Sequence, residues 1–111
     1  MEIAILGQLT SLKSNITTIT NELKLKNFKI VGITFPICNA VSQGRNPGLR
    51  AYNSWLKSDG SGNFDSIIDF AQICQDPNNL DRLKDGYTAI DSLHSSRIAN
   101  TDLVRELRKV I

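Results

Sequence analysis

The residues best placed to do chemistry are Asp91 and His94, in the run Asp91-Ser92-Leu93-His94, where the only histidine of the chain follows a carboxylate by three positions. In a short turn of this spacing the carboxylate can accept a hydrogen bond from imidazole Nδ1, which fixes the ring tautomer and leaves Nε2 free to act as a base. A loop ion pair or a helix cap would use the same two residues. A hydrolytic triad also needs a nucleophile, and the nearby serines are poor candidates. Ser92 is only two residues from His94, where side chains point apart in any extended stretch. Ser95 and Ser96 stand just before a helical run and read as capping residues.

The elements that must position this pair belong to one small domain spanning residues 1–111. A content of 41% hydrophobic and 22% charged residues is that of an ordinary globular chain rather than a disordered tail. The net charge of +2 is spread without a basic block, so the electrostatic footprint of a nucleic-acid partner is lacking. No apolar run reaches the roughly 18 residues that a membrane span needs. The opening Met1–Leu6 is short and acidic where a signal peptide would be basic, so a soluble, cytoplasmic chain is expected. Cys38 and Cys74 are far apart and lack a Cys-x-x-Cys partner, so they form neither a zinc set nor a disulfide framework and read as buried free thiols.

Apolar residues at Ile5, Leu9, Leu12, Ile16, Ile19 and Leu23 alternate spacings of four and three, which predicts an amphipathic helix over about residues 3–26, packed on a sheet. Thr17, Thr18 and Thr20 lower its intrinsic helicity, so it should depend on tertiary contacts. Phe28 to Pro36 is β-rich, apolar on both faces and closed by proline, as a strand of a parallel sheet reads. After a polar loop, Asn46 and Pro47 open a helix through about Lys57 with Leu49, Tyr52 and Leu56 on one side. Asp59 to Asn63 is a turn, and Phe64 to Phe70 reads as a second strand, which completes a βαβ crossover. Residues 75–90 are polar and turn-rich, and a closing helix from about Ser96 to Val110 aligns Ala99, Leu103, Leu107 and Val110. Asp65, Asp69 and Asp76 read as solvated or backbone-bonded carboxylates rather than metal ligands.

The succession of Thr34-Phe35-Pro36, Arg50-Ala51-Tyr52-Asn53-Ser54-Trp55-Leu56, Phe64-Asp65-Ser66-Ile67-Ile68-Asp69-Phe70, Asp76-Pro77 and Asp91-Ser92-Leu93-His94 resembles the C-terminal half of an SGNH, or GDSL-type, hydrolase. The order and spacing carry the resemblance, which covers nearly the whole chain. It implies a partial flavodoxin-like α/β fold: a three-layer arrangement with a short parallel sheet (βαβ) plus N-terminal and C-terminal helices, and an active site at the strands' C-terminal ends. It also implies ester hydrolysis by serine–histidine–aspartate chemistry, with Asp91 as the acid and His94 as the base of the catalytic pair. No cofactor is implied, and the substrate would be an ester of a lipid or carbohydrate.

The departures from the family pattern are equally specific. The Gly-Asp-Ser-Leu block that bears the nucleophile, the oxyanion-hole glycine and the Gly-x-Asn-Asp asparagine have no counterpart in these 111 residues. Ile90-Asp91-Ser92-Leu93 mimics the serine block but sits in the turn that holds the base, and Ser95-Ser96-Arg97 replaces the usual Pro-Asn-Asp. The expectation is therefore a hydrolase relative that is inactive alone, with two alternatives: one half of a two-chain enzyme, or a noncatalytic interaction module. A strand over Lys29 to Phe35 would leave an open apolar edge, which predicts a partner chain or self-association through that edge.

Overall fold

The computed structural model of the protein describes residues 2–37, 46–87 and 96–111. Helix α1 (Glu2–Leu25) leads through a turn into strand β1 (Val31–Ile33); helix α2 (Asn46–Lys57) and a 3₁₀ turn (Ser61–Asn63) precede strand β2 (Ser66–Ile68). There follow a short helix α3 (Phe70–Cys74), strands β3 (Gln75–Asp76) and β4 (Asn79–Leu83), and helix α4 (Arg97–Val110). β1 and β2 pair in parallel, with Gly32 opposite Ile67, which gives the expected strand–helix–strand order in a mixed α/β fold. Cys38, residues 39–45, and residues 88–95 with Asp91, Ser92, His94 and Ser95 lie outside the described residues. Among the described residues no helix is long and apolar enough to cross a membrane.

α1 ends as its sequence requires. Asn27 takes a left-handed φ of 64°. The Phe28 N–H then donates to the Leu23 carbonyl and the Asn27 N–H to that of Lys24, each at 3.1 Å, the paired closure of a Schellman motif. The covered face differs from the expected seam. Leu9, Ile16 and Leu23 are partly covered, but Leu12 and Ile19 are 40% and 55% exposed, and Thr20 is buried instead. The reason is the neighbour: α1 lies against α2 and the 3₁₀ turn. Lys13 places its ammonium 5.9 Å from the Trp55 ring centre. Lys24 donates to the Gly62 carbonyl at 2.6 Å. The line Lys13–Thr17–Thr20–Lys24 thus runs along the side of α1 nearest these neighbours, with Thr20 buried, Lys13 and Thr17 partly covered and Lys24 exposed, and the hydroxyls of Thr17 and Thr20 are satisfied by carbonyls of their own helix, at 2.9 Å from Lys13 and 2.8 Å from Ile16.

α2 buries Tyr52 and Leu56 as its pattern predicts, together with Asn53. At Gly32 the sheet admits no side chain, because a Cβ would lie 2.8 Å from the Phe64 ring that covers it. Phe70, expected to end a strand, instead begins α3. Asp69 caps that helix by accepting from the Gln72 N–H at 3.3 Å, which stops the strand at Ile68. The polar stretch after Cys74, expected to be turns alone, folds into the antiparallel pair β3–β4. Its tight connection is an Asx turn in which Asp76 accepts from the Asn78 N–H at 2.8 Å. Leu83, 4% exposed, anchors that pair in the core. Ile37, Phe70, Cys74, Leu83 and Ala99 form one buried cluster, supported by Ile33, Ile73, Tyr87 and Leu103. Cys74 is a buried free thiol, as expected, and desolvation pushes its pKa up to about 11, so it stays protonated and unreactive at neutral pH.

Candidate functional site

Parallel strands present their C-terminal ends on the same side, and here those ends carry Thr34, just after β1, and Asp69, just after β2. Thr34 is fully buried. Its hydroxyl donates to Asp69 Oδ1 at 2.8 Å and accepts from the Ala71 N–H at 2.9 Å, so both of its roles are filled. Asp69 Oδ2 accepts from Lys57 Nζ of α2 at 3.0 Å. Partial burial pushes the Asp69 carboxyl up, but the hydrogen bonds from Lys57, Thr34 and Gln72, with the Lys57 charge, outweigh it and hold the group below the ordinary carboxylate value. One step along β1, the Asn53 carboxamide clamps Phe35, accepting from its N–H at 2.8 Å and donating to its carbonyl at 2.7 Å.

Asp69, Lys57 and Asn53 line an open groove of about 720 Å³. α2 forms one wall with Arg50, Asn53 and Lys57; Gln72, Gln75 and the β4 residues Leu80 and Asp81 form the other. Arg50 bridges the walls, donating from Nη2 to the Leu80 carbonyl at 2.8 Å and to Asp81 Oδ1 at 2.9 Å. Both groove cations are therefore matched by carboxylates, and the polar lining suits neutral hydrogen-bonding groups better than a bare anion. The other two aspartates weighed as metal ligands serve the backbone: Asp65 accepts from the Ile30 N–H at 2.7 Å and Asp76 holds its own turn. Trp55 packs, its ring tilted at 39° to that of Tyr52 with 6.2 Å between centres, and Tyr52 is itself 5.2 Å from Phe35.

Asp91 and His94 lie outside the described residues, but both ends of the segment that carries them are defined. The Ser96 N–H donates to the Tyr87 carbonyl at 3.1 Å. Ser96 Oγ caps α4 by accepting from the Ala99 N–H at 3.2 Å, as expected of a serine there. The Tyr87 hydroxyl donates to Asp102 Oδ2 at 2.5 Å, and Arg105 donates to Asp102 Oδ1 at 3.1 Å. The hydrogen bond to Asp102, with lesser contributions from desolvation and charge, raises the Tyr87 pKa, so the hydroxyl remains a donor. The buried cluster that supports Tyr87 also contains Ile37, which lines the groove. Sequence reasoning missed Thr34, Lys57 and Tyr87 as members of this region. The usable signal was a polar residue ending each apolar strand run, Thr34 and Asp69, since such positions in open α/β sheets face the ligand side.

Compared with models of known protein families and with curated proteins, the sequence matches none.

Proposed function

We propose that the chain is a relative of the SGNH, or GDSL-type, ester hydrolases that keeps the acid–base pair Asp91 and His94 and carries no nucleophile of its own, so that it is inactive alone. The observation that carries this reading is the Asp91-Ser92-Leu93-His94 run, which follows the family's other C-terminal motifs in their order. Two structural features support it: the parallel β1–α2–β2 unit, and a groove opening at the C-terminal ends of its strands. With a serine supplied in trans, His94 Nε2 would take the hydroxyl proton as the oxygen attacks an ester carbonyl, and would return it to the leaving alcohol. Water, deprotonated by the same nitrogen, would release the acyl group, while Asp91 orients the ring and stabilises the imidazolium. Without serine and oxyanion donors the pair gives little acceleration, because those donors supply a large share of it.

The pair itself is testable, because a single histidine gives one imidazole signal in a proton NMR titration. The His94 titration midpoint should fall in Asp91→Asn, since a carboxylate hydrogen-bonded to the ring favours the imidazolium. An unchanged midpoint would show that the two residues do not act together.

A second, compatible reading is association through β1. The Thr34 N–H donates to the Ile68 carbonyl at 3.1 Å and the Ile30 carbonyl accepts from the Asp65 N–H at 2.8 Å, so even-numbered residues face β2. The backbone groups of Val31 and Ile33 therefore point away from it, and among the described residues no strand lies on that side. Phe28 and Phe35, 58% and 51% exposed, flank this edge. Sedimentation at micromolar concentrations should show self-association that Ile33→Pro, which removes an outward N–H and no bond to β2, abolishes. A monomer under those conditions would leave this edge without a homotypic role.

A further inference from the structure

The groove between α2 and β4 holds its charges in pairs, Lys57 with Asp69 at 3.0 Å and Arg50 with Asp81 at 2.9 Å. Pairing cancels the charge and leaves hydrogen-bonding capacity, because an ammonium or guanidinium carries several protons and a carboxylate several lone pairs. Asp81, for one, meets Arg50 through Oδ1. Gln72 of α3 and Gln75 of β3 add two carboxamides, each both donor and acceptor, and the Gln75 N–H ties the two residues together by donating to the Gln72 carbonyl. On the facing wall Ser54, one turn before Lys57, adds a hydroxyl. Among the described residues the apolar lining is Ile37, which is buried, Ala71, and Leu80, which is 65% exposed.

We propose that this groove binds the sugar ring of a carbohydrate ester, with Gln72 and Gln75 among the side chains that recognise its hydroxyls. The ester rests on the proposed function; the sugar site rests on the groove itself. A hydroxyl donates and accepts at once, so a ring dense with hydroxyls matches a lining in which donors and acceptors stand side by side without net charge. A bare anion would meet as many carboxylates as cations here. An acyl chain calls for a predominantly apolar lining, and an extended peptide for a strand edge, whereas these walls present mainly polar side chains. The C–H faces of a pyranose find contact in Leu80 and Ala71. The volume of about 720 Å³ lies within the range of small-molecule sites, about 300–1,000 Å³.

The side-chain NH₂ signals of Gln72 and Gln75 in proton–nitrogen correlation spectra are the reporters. The probes are the methyl pyranosides of glucose, galactose, mannose and xylose, added up to about 100 mM, where a site of a few neutral hydrogen bonds is read. At least one should move both signals saturably. Gln72→Ala and Gln75→Ala should each weaken that binding about fivefold, the effect of one neutral hydrogen bond, with signals distant from the groove unchanged. No saturable shift with any pyranoside would overturn the site. So would shifts confined to Arg97 and Thr101 on the outer face of α4, or a saturable response in the groove to inorganic phosphate, hexanoate or acetyl-trialanine amide but to no pyranoside, which would mark an anion, acyl-chain or peptide site. The two proposals fail separately. An imidazole that responds to Asp91→Asn in a chain that binds no pyranoside overturns the sugar site alone; a pyranoside bound in the groove of a chain whose imidazole ignores Asp91→Asn supports the sugar site and contradicts the acid–base reading.

Discussion

Leu56→Ala is expected to lower the free energy of unfolding by about 2–5 kcal/mol, the range for deleting a buried leucine and leaving part of the space unfilled. Leu56 is fully buried on the inner side of α2, among the largest of the fully buried side chains. A domain of this size has a total stability of about 5–15 kcal/mol, so the loss is a large share of it. Urea denaturation followed by tryptophan fluorescence should show a lower midpoint with an unchanged slope, Trp55 being the only tryptophan. Ile19→Ala is the control. At 55% exposure on the outer side of α1 it should change stability by no more than about 0.5 kcal/mol. A large effect there would mean that the apolar stripe of α1 is covered in solution.

Asp69→Ala should cost about 2–4 kcal/mol, combining the loss of a helix cap with a buried hydroxyl left without its acceptor. Asp69 Oδ1 receives both the Gln72 N–H that caps α3 and the Thr34 hydroxyl at the end of β1. Asp69→Asn keeps an oxygen for both and loses the ion pair and hydrogen bond between Oδ2 and the half-exposed Lys57, so it should cost less than Asp69→Ala, about 1 kcal/mol. The same group makes a pH signature. Its folded pKa lies below the ordinary 3.8. Between those two values the unfolded chain binds the proton and the folded one does not, so stability rises with pH there. The contribution of Asp69 is therefore fully present above about pH 4, and it is lost as the pH falls through the folded value. Acid unfolding of Asp69→Asn should lack this component, and identical acid profiles for wild type and Asp69→Asn would contradict the assignment.

The elements that local chemistry dictates were legible in the sequence. α1, α2 and α4 have clear apolar periodicity and, in α4, a serine cap; the parallel pair followed from two short β-rich runs around a helix. What the sequence did not reveal depends on partners. The face α1 turns inward is set by Trp55 and the 3₁₀ turn, which draw in Lys13, Thr17 and Lys24, so Leu12 and Ile19 are left outside. A hydrophobicity pattern alone cannot foresee polar side chains at a helix contact, with Thr20 the buried one. β3 and β4 were hidden because Asn79 to Arg82 are exposed and only Leu83 is buried, which leaves no alternation to read. Their turn was visible in Asp76-Pro77-Asn78, and the pairing it implies was not drawn from it. At the groove, the Thr34–Asp69–Lys57 chain joins residues up to 35 positions apart and needs the parallel register to bring them together.

In the proposed function, these 111 residues hold the acid and base of an ester hydrolase without its nucleophile. Hydrolysis of a short-chain p-nitrophenyl ester by the purified chain tests it most directly, with Ser92→Ala and His94→Ala measured in parallel. No saturable turnover above the buffer background is expected in the wild type, and no difference between it and Ser92→Ala. Saturable turnover by the wild-type chain that disappears in Ser92→Ala would contradict it, since the nucleophile would then lie in the very turn that holds the base.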